Sequence, residues 1–495
     1  MTARPFATTT LKRLRVEEDA QNSDAVHPTT SSETTDLHSL EYTNQDWEQC
    51  SFAYSLHDIK TPNDLTWIDP NTNPQLQHAL DVLPPEQQLD ALVEAFFSNV
   101  NHHYNIIHAP SFIRQYLIWS MRRTQGYHQD LQLTILILMI CACATQHLDL
   151  DSQTTMESHL AHPCESLSKN YHDAGQSLAA VMPANCFHLN NLQWKVLSVC
   201  WLKGEAKFTE AWHTIGSAVQ EAYELGLHRP LSSGAASDAE NRIGRRAWRV
   251  LYCWNWQFSS IFSRPMIIND IGPEPERSSF DLKASPPTPT LHTELEYQLI
   301  SSLAKRWHSP KNINSATNIR LYKTMIEGWM SSLPSVYDIN HPDTAKDHTW
   351  PWIVTHRCYI QTMAYFLILQ PYKAYMSSPS ADSSLPETQQ LQTEAVDYSL
   401  KTLRAATQWA SQVSHGDGQF HLVVLCLFDT AAFLSMTLNR GQGNNTITKK
   451  EEAVLAVNGA VLILQQLQVI SQGAKSSHRL LDRILTRLKW DREVQ

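Results

Sequence analysis

Residues Ala211–Pro230 read AWHTIGSAVQEAYELGLHRP. Ala211, Ile215, Ala218, Ala222 and Leu225 recur at three- and four-residue intervals, which puts them on one face of a helix over 207–225. Gly226 follows at once, and Pro230 comes four residues later. Glycine accepts the left-handed conformation that closes a helix, and proline cannot continue one. The stretch therefore predicts an amphipathic helix with a glycine cap, and its apolar face must pack against further elements.

The neighbouring segments supply such elements. Residues 191–203 place Leu192, Val196, Val199 and Cys200 inward, and residues 241–261 do the same with Ile243, Ala247, Val250, Leu251, Trp254, Phe258 and Ile261. Leu131 to His147 is apolar on all sides and predicts a central helix. Pro84-Pro85-Glu86 opens another, in which Leu89, Leu92, Val93, Phe96, Phe97 and Val100 share a face. Beyond a proline-rich linker near 273–289, helical spacing resumes at 291–308, 315–333, 352–370, 391–413, 419–438 and 450–471. The final helix, 478–489, is expected to turn Leu480, Leu481, Ile484, Leu485 and Leu488 inward. Convincing strand alternation is absent, so the expected class is all-α, one multi-helix domain over 61–490. Residues 1–60 hold five basic and ten acidic residues without lasting period and are expected to be largely disordered.

Composition narrows the function. With 495 residues and 15 Trp the chain can bury a large interior. A net charge of −10 is wrong for a polybasic nucleic-acid binder. Nine widely spaced cysteines, several inside apolar runs such as ILILMICACA, fit a reducing compartment better than a disulfide framework. The N-terminus lacks an apolar core of signal-peptide length. The run Ile135–Ala144 is too short to span a bilayer, so no membrane association is expected.

The chemical motifs are sparse. There is no P-loop, GxGxxG, GxSxG or HExxH. Cys141 and Cys143 would stand about 200° apart on a helix and read as core residues. His103 and His108 read as helix-end or loop histidines, and His162 and Cys164 as part of a polar loop without a second ligand pair. Arg242, Arg245 and Arg246 beside Trp248 form a short basic patch whose simplest reading is a helix start bonded to a neighbour. Lys12, Arg13 and Arg15 are a candidate nuclear-import signal, in a run shorter than such signals usually are. No catalytic, metal or DNA-contacting residue and no cofactor is predicted.

Taken together, several segments resemble the regulatory middle-homology domain of fungal zinc-cluster transcription factors. Leu83–Tyr116 is similar to its opening helix and the His-x-Pro-Ser-Phe turn at His108–Phe112. Ala211–Pro230 resembles its most typical helix, with Trp212 and the ending Gly226-Leu227-His228-Arg229. Arg245-Arg246-x-Trp248 leads toward Ser263-Arg264-Pro265, where the family has Gly-Arg-Pro, and Asn255-Trp256 replaces its Asp-Arg. Trp329 to Pro334 and Tyr359 to Pro371 match later landmarks. These motif residues are read as structural. Family members also carry a six-cysteine zinc cluster, whereas residues 1–100 hold one cysteine, Cys50.

The resemblance implies a non-enzymatic, nuclear regulator of transcription, with fungal secondary-metabolite gene clusters as the favoured target. It would act through a partner regulator or co-regulator or through a small-molecule effector, reaching DNA only indirectly, with oligomerisation left open. The alternative is an interaction protein that sequesters or heterodimerises with a full-length zinc-cluster regulator. Either way, the chain alone is expected not to read DNA sequence.

Overall fold

The structure, a computed structural model, describes residues 66–183, 186–229, 239–269, 288–378, 385–412, 418, 420–440, 449–468 and 471–490. The segments expected to be disordered or linker-like, 1–60 and most of 273–289, lie outside these residues, as do Lys12, Arg13 and Arg15. The described chain is helical apart from one two-residue antiparallel pair, Trp67–Ile68 with Gln129–Asp130.

The first half is built around α4 (Leu131–Gln146), in which every residue from Leu131 to Thr145 is buried. An apolar stretch this complete has no face to offer water, so helices must cover it all round. Its partners are α1 (Pro74–Val82), α2 (Glu86–Asn99), α6 (Cys164–Ala179) and α7 (Leu189–Gly204). Between them lie α3 (Ala109–Thr124) and α5 (Leu150–Leu160). Asp130 caps α4, its carboxylate accepting from the Gln132 amide at 2.9 Å. α8 (Phe208–Glu224) packs on α7, and α9 (Ala239–Phe262) and α10 (Leu291–Trp307) follow. The second half comprises α11 (Ala316–Ser331), α12 (Trp352–Met376), α13 (Pro386–Gln412), α14 (Phe420–Arg440), α15 (Lys450–Leu467) and α16 (Gln472–Arg487). α9 and α14 both touch α7 and α12, joining the halves.

Several expectations need correction. Phe96 is buried, but Phe97 lies at the edge of the stripe, half-buried against Phe112 with ring centroids 5.8 Å apart. Leu480 is 47% exposed, while Leu481 and Leu485 carry the α16 contact. The segment after His108 is the sixteen-residue helix α3 rather than a turn. Cys164 opens α6 and is buried, not part of a polar loop. α12 continues through Pro371 to Met376, because an entirely buried surround holds a helix that local sequence would end. α14 is long and apolar enough to cross a membrane, but 67% of its apolar window is buried within the helical body. Its Asp429 is ion-paired with Lys373 of α12, so it reads as a core helix.

The glycine cap is as expected. Gly226 has φ 67° and donates to the Tyr223 carbonyl at 2.9 Å, while Leu227 donates to Ala222 at 3.0 Å, the paired bonds of a Schellman ending. No side chain approaches the position, so a substitution is penalised by backbone conformation alone. Ser263 also sits at positive φ, 53°, where the resembled family has glycine. Two opposite outcomes follow. Gly226→Val should lower the stability measured in urea by about 1–2 kcal/mol, and Ser263→Gly should raise it by up to about 1 kcal/mol. Phe96→Ala should cost about 3–5 kcal/mol, clearly more than Phe97→Ala. Equal losses at the two phenylalanines would contradict the placement of the core face.

Candidate functional site

The helix ends meet at a cleft. Lys203 and Gly204 close α7, Phe208 opens α8, and Ile261 and Phe262 end α9. Facing them are Val424, Leu425 and Phe428 of α14 and the first turns of α16, and together these enclose a cavity of about 240 Å³. Gly473 of α16 packs against Gly204 and Ala206, at distances where a Cβ would make ordinary contacts. Phe208 and Phe262 stack at 4.5 Å across the wall. A smaller pocket of about 30 Å³ lies alongside and shares Lys203, Phe208 and His421.

Lys203 is the unusual member. Its side chain is only 6% exposed. The ammonium stands 3.8 Å over the Trp254 ring and 3.4 Å from the Tyr104 hydroxyl, and among the described residues no carboxylate lies within 4 Å of it. Burial pulls its pKa down to about 8, against the opposing fields of Cys200 and Glu296. Deeper in, Glu296 is buried and accepts from the Tyr359 hydroxyl at 2.8 Å and from the Gln257 amide. Burial raises its pKa to about 7. A cation–π contact and a hydroxyl replace only part of the hydration an ammonium loses, so the lysine is held at a cleft it can serve.

A histidine core adjoins this region. His292 and His356 stack with centroids 3.6 Å apart, and His103 lies 6.0 Å from His356. Burial brings His292 down to about 3 and His356 well below its usual value. His103 is therefore a buried residue, not a loop histidine, while His108 is exposed and bonded to Ser111 at 2.8 Å. Among the described residues no group of His, Cys, Asp or Glu is arranged to hold a metal ion, and the eight described cysteines are free and buried.

The motif residues fall in two groups, Trp212, Arg264 and Pro265 toward the cleft end of α8 and α9, and the remainder toward the opposite ends of these helices. Arg264 packs 5.5 Å over Trp212 and donates to the Thr209 hydroxyl at 2.9 Å, tying the turn after α9 to α8, with Pro265 exposed beside it. Leu227 seats on Gly244, where a Cβ would clash at 2.7 Å. His228 meets Tyr223 and Trp248 edge-on or tilted, and Arg229 donates to His228 at 3.2 Å. Arg246 reaches the Asn105 carbonyl at 3.2 Å, and Arg245 lies near Tyr297 on the same helix surface. Asn255 is buried. Its oxygen accepts from the amides of Ile267 and Ile268 at 2.7 and 3.2 Å and its nitrogen donates to Ile268, fixing the chain after the Ser-Arg-Pro turn.

Residues 93–271, which hold α3 to α9 and three walls of the cleft, match the model described as the fungal specific transcription factor domain. This segment is similar to the fungal specific transcription factor domain. The chain is similar to the transcription factor xilB of Penicillium rubens, 24% identical over 58% of this chain and 46% of that protein. It is also similar to the probable transcription factor sol4 of Alternaria solani, 22% identical over 75% of this chain and 69% of that one. The transcription factor opdR of Penicillium oxalicum is 26% identical over 34% and 20%. The chain thus spans about half the length of the first relative. These relatives are named as transcription factors. The cleft is completed by α14 and α16, which lie beyond the matched segment.

Sequence reading missed Lys203, Glu296 and His421. A lysine in the last turn of a helix ordinarily reads as a solvated residue favoured by the helix dipole, and no local pattern distinguishes a buried one. The histidine core has a measurable consequence. His292 and His356 have lowered pKa values, so their stabilisation is present above about pH 6.5 and is lost as pH falls, each at about 1.4 kcal/mol per pH unit. Glu296, raised, acts oppositely between 7 and 4.5. The balance predicts a net fall in stability from pH 6.5 to 5, steeper in Glu296→Gln and shallower in His356→Phe, measured as urea midpoints. A pH-independent midpoint would contradict it.

Proposed function

We propose that the chain is a non-catalytic regulator of transcription in a fungal nucleus, and that its helical body passes the state of the cleft to a partner regulator or co-regulator. The observation that carries this is the cleft itself. A buried ammonium and an imidazole meet apolar walls supplied by both halves of the molecule. Occupancy can alter how α14 and α16 sit against α7 to α9, provided an effector binds the two arrangements with different affinity. The motif residues from Trp212 to Pro265 act as the packing that keeps the α8–α9 wall in place. The similarity of Leu83–Tyr116 to regulators of biosynthetic gene clusters supports secondary metabolism as the target.

Access to DNA runs through the partner in this reading. The net charge of −10 opposes approach to a polyanion. Arg246 of the basic patch is turned to a backbone carbonyl. The test is a titration of the 495-residue chain against promoter fragments at near-physiological salt, with and without a co-expressed full-length homologue. Sequence-dependent binding only in the presence of the homologue is expected. Equally tight, sequence-dependent binding by the chain alone would overturn the partner mechanism.

A further inference from the structure

We propose that the cleft takes a small apolar molecule bearing one carboxylate, with the carboxylate held by Lys203 Nζ and the apolar part seated among Phe208, Phe262, Val424 and Phe428. The proposal rests on reading the cleft as an effector site and gives that site a ligand class.

Three observations support it. The first is the ammonium, buried and without a carboxylate within 4 Å among the described residues, on a lysine that lines both the large cavity and the small pocket. A buried cation is stabilised most by an anion brought to it in a desolvated site. The second is the disposition of the other polar groups. Asp429, the acidic residue on the cavity wall, is neutralised by its ion pair with Lys373. The Nδ1 atom of His421 is enclosed without a hydrogen-bond partner. Ser471, Gly473 and Ser477 present the N-terminal turns of α16, whose dipole also favours negative charge. The third is size. At about 240 Å³ the cavity exceeds the roughly 150 Å³ of an apolar cavity known to admit benzene. That leaves room for an aromatic ring with a short acidic substituent.

The experiment uses the full chain and three probes: benzoate, 3-phenylpropionate and the neutral isostere benzamide. Binding is followed by calorimetry and by thermal shift. The acids should bind at least about tenfold more tightly than benzamide, and Lys203→Met should abolish that difference while Lys203→Arg keeps part of it. Val424→Trp, which fills the apolar end, should weaken all three probes and serves if Lys203→Met fails to fold. Benzamide binding as tightly as benzoate overturns the acid assignment and leaves the effector reading standing. Binding of none of the three probes overturns the ligand class outright. Acid binding that leaves transcriptional output unchanged supports the assignment and removes the effector reading.

Discussion

The molecule depends on the burial of one helix. From Leu131 to Thr145, α4 has no residue at the surface. Hydrophobic stabilisation scales with the apolar area withdrawn from water, so a helix of this kind organises whatever covers it. The cover comes from α1, α2, α6 and α7, and the close approach of α6 is visible at Gly175, where a Cβ would meet Met139 at 2.6 Å. Once α7 is fixed against α4, its C-terminal residues have little freedom. Lys203 is carried to the interior because every residue from Asn190 to Leu202 except Lys195 is buried.

That placement sets up the contest that gives the site its character. Burial acts against the ammonium, whereas Trp254, Tyr104 and the more distant Glu296 act for it. The opposing group is shifted in the opposite direction, with Glu296 raised toward neutrality and satisfied by Tyr359 and Gln257. An internal salt bridge would have quenched both charges. Their separation instead leaves the lysine facing the cleft and the carboxyl facing the hydroxyl and amide behind it. The segment similar to the fungal specific transcription factor domain contributes the α7–α9 side of this arrangement, and the later helices α14 and α16 close it.

Much of the fold was legible in the sequence because helical periodicity reports a face directly. The α2, α8 and α9 stripes, the wholly apolar α4 and the Gly226 cap could all be read from spacing. Residues at the margin of a stripe were less clear. Phe97 and Leu480 sit where rotation by a fraction of a turn decides between core and solvent. The helices α1, α3, α5 and α6 went unrecognised because polar residues dominate their exposed faces. Least legible was the site. Lys203, Glu296, His356 and His421 come from four separate helices, and each is chemically ordinary until packing removes its water. The Ser263 and Asn255 departures were visible, but their meaning needed geometry: one occupies a left-handed position, and the other bonds three backbone groups.

The claim that joins fold to function is that the state of the cleft is communicated outward. The most direct measurement tethers the chain to a heterologous DNA-binding module upstream of a reporter and compares it with Val424→Trp, which fills the cavity without adding charge. If the cleft governs output, the filled variant retains the thermal stability of the parent and shifts reporter expression to a constant level that no longer responds to added ligand. An equally stable filled variant with unchanged, still responsive expression would contradict the account.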